Sequence, residues 1–138
     1  MEQCIFCQIA NHESPAKIVY ENDSSMIIMA KEQDVSGHLL AFSKTHATDV
    51  TSIDPENWLE LQNTIKKVSD HVINDCGYAG VNLLCASGKA AGQSVNHLHF
   101  HLILRQDHDG IDAWPHLEEK NQLDRDEVYR KIKNWSNF

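Results

Sequence analysis

The pattern of hydrophobic and polar positions changes period along the chain. Short apolar runs come first, at Ile18 to Tyr20, Met26 to Met29 and His38 to Phe42, separated by turn-forming Asn22-Asp23 and Ser36-Gly37. They predict three short strands in an antiparallel meander. Ahead of them, Cys4 to Ala10 reads as a short helical turn, followed by a polar turn from Asn11 to Pro15. From Asp54 the spacing becomes helical. Asp54 serves as cap, Pro55 fits the first turn, and Glu56 stands near the positive end of the dipole. Trp58, Leu61, Ile65, Val68 and Val72 then recur every three or four residues, which puts an apolar stripe on one helix face. Cys76-Gly77 closes this long helix. Two further strands are predicted, Tyr78 to about Cys85 and His97 to Leu104. A last helix is predicted from about Asp124 to Trp135, with a narrow apolar edge of Leu123, Val128, Ile132 and Trp135. No internal repeat, low-complexity tract or linker divides the chain. The count is five strands, one long helix and two shorter ones.

Composition adds limits to this outline. The 138 residues amount to one domain. Twenty acidic residues against twelve Lys and Arg give a formal charge of -8, which disfavours non-specific binding to nucleic acid polymers or an anionic membrane. A small phosphorylated ligand is still allowed, because a local site can oppose the global sign. The longest apolar stretches run to about five residues, too short to span a membrane. Met1 leads directly into Glu2, Gln3 and Cys4, with no export signal, so a cytoplasmic location is expected.

The four cysteines are Cys4, Cys7, Cys76 and Cys85. Cys76 and Cys85 stand among apolar residues and are expected to be buried, reduced thiols. Cys4-Ile5-Phe6-Cys7 is a CxxC knuckle, open to a redox, a metal-binding or an incidental reading. A thioredoxin-like role needs a strand before the motif, and only three residues precede Cys4. As a zinc knuckle it supplies two of four ligands, and the other two must come from downstream.

The most informative run is His97-Leu98-His99-Phe100-His101-Leu102-Ile103-Leu104. In a strand, alternate side chains share a face, so His97, His99 and His101 point one way. Leu98, Phe100, Leu102 and Leu104 point the other way, onto the long helix. Residues two apart in a strand are about 7 Å apart, which separates His97 from His101 by roughly 13 Å. One metal ion bound by all three would require severe bending, so the histidines are expected to divide their labour between structure or metal and ligand. The preceding loop, Gly88 to Ser94, suits an anion: its small residues let backbone N–H groups approach closely, and Gln93 and Ser94 add neutral donors. It lacks the order of a Walker loop.

These residues resemble the histidine triad (HIT) family, whose signature is His-x-His-x-His followed by apolar residues. Here it stands as Gly92-Gln93-Ser94-Val95-Asn96-His97-Leu98-His99-Phe100-His101-Leu102-Ile103. Ser36-Gly37-His38-Leu39-Leu40, Lys44-Thr45-His46 and the opening CxxC also match. The resemblance covers roughly residues 4 to 106 and implies a histidine triad domain over 1–107, with 108–138 as a C-terminal extension carrying a helix. It implies an α+β fold with a five-stranded antiparallel sheet, a homodimer with a continuous ten-stranded sheet, and a nucleotide-binding hydrolase acting at the α-phosphorus of a purine nucleotide or nucleotide conjugate. By the same resemblance His99 is the nucleophile that forms a covalent histidyl-nucleotide. His101 and His38 are implied to orient it and bind phosphate, with Gln93, Ser94 and Gly92 as phosphate contacts. A structural zinc is implied on Cys4, Cys7, His46 and His97. The chemistry is sound, because neutral imidazole is nucleophilic near pH 7 and its other ring nitrogen needs an acceptor to fix the tautomer.

Three positions depart from the family pattern. The Asp that holds the ribose hydroxyls falls on Ala30, an Asn near the phosphate falls on Ala86, and Ile-Pro after the third strand is Phe42-Ser43. Losing a charged hydrogen bond of about 1.5–3 kcal/mol predicts weaker nucleoside affinity, unless Glu32 or Asp34 takes over. The alternative function, supported by Ala30 and Ala86, is a non-catalytic nucleotide-binding or scaffold protein. In the C-terminal extension Trp114, Trp135 and Phe138 are candidate anchors for further dimer contacts or ordinary packing residues.

Overall fold

A computed structural model describes residues 4–31, 35–114 and 124–134. In chain order the elements are α1 (Ile5–Ala10), β1 (Ile18–Glu21), β2 (Ser25–Met29), β3 (His38–Ser43), α2 (Pro55–Asn74), β4 (Gly80–Cys85), a 3-10 turn (Lys89–Ala91), β5 (His99–Arg105) and α3 (Arg125–Ile132). The strands form one antiparallel sheet of order β1-β2-β3-β5-β4. The expected α+β architecture is the observed one.

Helix α2 starts where its sequence signals place it. The Asp54 side chain accepts from the Asn57 backbone amide at 3.1 Å, and Pro55 opens the first turn. Its apolar stripe, Leu61, Ile65, Val68 and Val72, is buried against Ile27, Leu39, Ala41, Leu98 and Leu102 of the sheet side. Removing this packing at one position, for example Leu61 at 0% exposure, would cost about 2–5 kcal/mol. The opposite face carries a smaller core, in which Phe6, Ile9 and Ala10 of α1 cover Met26, Ile28 and Phe42. The sheet is thus sandwiched between a long helix and a single short turn of helix. The histidines lie on the thinly covered side.

The structure corrects some boundaries. Strand β5 begins at His99 rather than His97, because the Leu98 amide donates to the Ala47 carbonyl at 2.7 Å and leaves the ladder. Strand β4 begins at Gly80 rather than Tyr78. Cys76 and Cys85 are both free but exposed, not buried. Cys76 follows the last turn of α2, and Cys85 ends the uncovered half of edge strand β4. Helix α3 spans Arg125–Ile132 and buries none of its residues. Leu123 and Trp135 of its expected apolar edge lie outside the described residues, as do Glu32, Asp34 and Phe138. No helix among the described residues is long and apolar enough to cross a membrane.

Candidate functional site

Strand register assembles the histidines. In the β3–β5 ladder Phe42 faces His99, Leu40 faces His101, and His38 faces Ile103, so all six side chains share the α1 side of the sheet. His38 and His101 are therefore diagonal neighbours, and His38 Nε2 lies 2.8 Å from His101 Nδ1. His99 stacks edge-on to His101 with ring centroids 5.0 Å apart. Phe6 of α1 packs on Phe42 at 4.7 Å and on His99 at 5.0 Å, which leaves His99 only 7% exposed. The start of β3 is set by Gly37. Its φ of +113° suits glycine, and an added Cβ would stand 3.0 Å from the Leu104 Cβ.

Two histidines on this row have opposite tautomers, each dictated by a carbonyl. A carbonyl only accepts, so the ring nitrogen facing it carries the proton. His97 Nε2 donates to the Ser43 carbonyl at 2.8 Å, which leaves Nδ1 with a lone pair. His99 Nδ1 donates to the His97 carbonyl at 2.7 Å, which leaves Nε2 with the lone pair. The acceptor that fixes the His99 tautomer is thus the backbone of His97, whereas His38 and His101 bond to each other.

The His97 lone pair points into a group of soft donors. Cys4 Sγ lies 3.3 Å from His97 Nδ1, and Cys7 Sγ lies 3.3 Å from His46 Nδ1 and 3.6 Å from His97 Nδ1. The four ligand atoms all fall within 4.8 Å of one another. Tetrahedral zinc with bonds near 2.3 Å to sulfur and 2.0–2.1 Å to nitrogen needs sulfur–nitrogen separations of about 3.6 Å. The residues therefore fit a zinc ion, and the Ser43 carbonyl supplies the outer hydrogen bond that orients a histidine ligand. Burial pushes the His97 imidazole down to about 4, so it is neutral at pH 7, as a ligand must be. Burial and the neighbouring Cys4 thiol push Cys7 up to about 11; a bound cation would reverse this.

The loop of the anion reading is a 3-10 turn flanked by Gly88 at φ +96° and Gly92 at φ +94°. Gln93 braces it: its Oε1 accepts from the Gly88 amide at 2.8 Å, and its Nε2 donates to the carbonyls of Thr48 at 2.7 Å and Val95 at 3.0 Å. This commits both amide hydrogens to the loop and corrects the expectation of Gln93 as a direct phosphate contact. Gly92 and Ser94 are exposed beside it. Ala30 is buried at the end of β2, and Ala86 is half-buried at the start of the loop. Sequence reasoning missed Phe6 as a packing partner of His99, and the Ser43 and His97 carbonyls as tautomer-setting acceptors.

The HIT domain profile matches residues 11–108. An uncharacterised HIT-like protein of Methanocaldococcus jannaschii is 36% identical over 130 residues, covering 94% of this chain and 98% of its own length. The adenylylsulfatase HINT3 of Arabidopsis thaliana is 30% identical over 89% of the chain and 63% of its own length. The adenosine 5'-monophosphoramidase hnt1 of Schizosaccharomyces pombe is 27% identical over 94% and 98%. Among solved structures, a HIT family member from Bacillus subtilis superposes with a TM-score of 0.81 at 28% identity over 99% of each chain. A zinc-bound histidine triad protein from Mycobacterium smegmatis gives 0.75 at 27% identity over 85% of each. With the histidine row, the paired ladder beneath it and the profile match in agreement, the chain belongs to the HIT domain family.

Proposed function

We propose that the protein is a nucleotide-conjugate hydrolase cleaving at the α-phosphorus through a histidyl-nucleotide on His99. The observation that carries this reading is the His99 Nδ1 bond to the His97 carbonyl, which leaves Nε2 as the nucleophilic nitrogen. Nε2 attacks phosphorus, the bond to the leaving group breaks, and the nucleotide is held on His99. Water then attacks the same phosphorus and releases the nucleoside monophosphate. His101, coupled to His38, stands beside His99 to bind the phosphate oxygens and stabilise their developing charge. Ser94, Gly92 and the loop backbone braced by Gln93 are the remaining phosphate contacts. The substrate class is a purine nucleotide joined to an amine, acyl, sulfate or polyphosphate group. The sulfate and amine members of this class are supported by the activities named for the Arabidopsis and fission yeast relatives.

The reading includes a structural zinc on Cys4, Cys7, His46 and His97, a homodimer, and a cytoplasmic location. Residues 1–107 form the triad domain and 108–138 the extension. Edge strand β4, with Leu83 46% and Leu84 36% exposed, is the edge that a second copy would pair with. Sedimentation at micromolar concentration giving a mass near 15.7 kDa would contradict the dimer.

A second reading, a nucleotide-binding protein without turnover, is favoured by Ala30 and Ala86, which offer no polar side chain. One experiment separates the two. Wild type and His99→Ala are incubated with adenosine phosphoramidate, adenosine phosphosulfate, lysyl adenylate and a dinucleoside polyphosphate, and products are followed by mass. Nucleoside monophosphate that disappears in the variant supports the hydrolase. Tight binding with no turnover, unchanged in the variant, supports the binder.

A further inference from the structure

We infer that Cys76 is a second reactive site, a base-assisted thiol that exchanges with low-molecular-weight disulfides, with His71 as the base and Asp75 positioning it. The site lies at the end of α2 and is independent of the phosphorus chemistry. The local fold brings the three side chains together. The amides of Asp75 and Cys76 both donate to the His71 carbonyl, at 2.8 and 3.2 Å, so the chain curls back over the last helical turn. Gly77, at φ +82°, then turns it away, and buried Val72 anchors the curl through its carbonyl, which accepts from the Tyr78 amide at 3.2 Å. His71, Asp75 and Cys76 are left facing solvent.

The hydrogen bonds give these groups a direction. Asp75 Oδ2 lies 2.9 Å from His71 Nδ1, and a carboxylate only accepts, so Nδ1 carries the proton. In the neutral ring His71 Nε2 then presents its lone pair, and Cys76 Sγ lies 3.5 Å from it, within reach of an S–H donor. This is the order nucleophile, base, orienting carboxylate. The thiol and the imidazole beside it are both exposed, so a small disulfide in solution can reach Sγ.

The reaction balances without another oxidant. The Cys76 proton passes to His71 Nε2 while Sγ attacks one sulfur of the incoming disulfide. The new S–S bond forms as the old one breaks, and the departing thiolate takes the proton from His71. Cys76 is oxidised to a mixed disulfide, and half of the reagent is reduced to a thiol.

Cys85 provides an internal control. It is free and, in a single copy, exposed, but it ends the edge strand that a second copy would cover. Its neighbour is Ser87 rather than an imidazole, and burial pushes its thiol up. The His71 and Asp75 variants therefore carry the test, and Cys85 reports only a general change of fold. The full-length protein is mixed with oxidised glutathione, quenched with acid at intervals and digested, and glutathione on each cysteine is followed by peptide mass. Cys76 is expected to react first, about tenfold faster than Cys85. His71→Gln and Asp75→Asn should remove most of that advantage without altering the rate at Cys85, while Asp75→Glu should retain it. Equal rates at the two cysteines in the wild type would overturn the assignment. So would an unchanged Cys76 rate in His71→Gln, or a parallel change at both cysteines, which would mark an altered fold.

Discussion

His97 and His99 stand two residues apart on the same row, yet their rings are set for opposite work. His97 is fully buried, gives its Nε2 proton to a carbonyl and turns Nδ1 toward two thiols and a second imidazole. His99 gives its Nδ1 proton to a carbonyl and keeps Nε2 for chemistry. The residue type is the same and the pleat is nearly the same. Which carbonyl each ring meets decides which nitrogen keeps its lone pair, and under the proposed function that separates a ligand from a nucleophile. One backbone also links them, since the carbonyl that orients His99 belongs to His97. A metal centre at the first position would therefore stiffen the proposed nucleophile at the second.

The sharpest way to break this comparison is to remove each ring's task in turn. His99→Ala is expected to lower turnover of any accepted nucleotide conjugate by at least ~10³-fold. Its effect on stability should be about 1–3 kcal/mol, the cost of losing a ring that packs on Phe6. Steady-state rates and thermal melts of the same preparation check both halves. A variant retaining a tenth of the wild-type rate would remove His99 from the nucleophile's role.

Cys7→Ser should give the opposite profile, with a large loss of stability and an indirect loss of activity. Structural zinc contributes folding free energy outright. The variant, or chelation of the wild type, should lower the melting temperature by ten degrees or more, an effect of several kcal/mol. Metal analysis should find one zinc per wild-type chain and little in the variant. Well under one zinc in the wild type would remove the metal from the account. Two free thiols beside two imidazoles would then remain to be explained.

Much of this division was legible before any coordinates. The alternation from His97 to Leu104 separated a polar face from an apolar one, and Leu98 and Leu102 are indeed fully buried under α2. The spacing argument that kept His97 and His101 off a common metal agrees with a donor cluster that takes His97 alone among the three. What was not legible rests on backbone atoms, which leave no mark on residue type. The bend that takes His97 out of β5 is an amide-to-carbonyl bond from Leu98 to Ala47. The acceptors that set the two tautomers are carbonyls. Cys76 and Cys85 misled for another reason. Their apolar neighbours Ile73, Leu83 and Leu84 are themselves exposed, so local hydrophobicity did not report burial.

A smaller effect tests how the other half of the site is placed. Gly37→Ala adds a Cβ where Leu104 leaves 3.0 Å, at a φ of +113° that alanine resists. The expected destabilisation is about 1–3 kcal/mol. Because Gly37 precedes His38, the variant should also disturb the His38–His101 pair while leaving zinc content unchanged. Loss of zinc in this variant would show that the two ends of the row are not independent.

The smallest effect concerns the far end of β5, where a clamp takes the place of the cysteine–histidine cluster. Arg105 Nε and one terminal guanidinium nitrogen each donate to Asp109 at 2.9 Å, and the other terminal nitrogen donates to Asn82 Oδ1 at 2.7 Å. The Arg105 guanidinium, aided by the Ile111 and Gln106 amides, holds the Asp109 carboxyl well below the usual carboxylate range. A depressed carboxylate stabilises the fold fully only above its unfolded value of about 3.9, and that contribution fades as pH falls toward the folded value. Thermal melts of wild type and Asp109→Asn should therefore differ by a constant amount above about pH 5 and converge progressively below pH 4. The comparison is made within a pair that shares the same histidines and cysteines, so other acid-sensitive groups cancel. A difference that stayed constant down to pH 3 would mean that the clamp holds β5 by shape alone, and that charge anchors neither end of the strand.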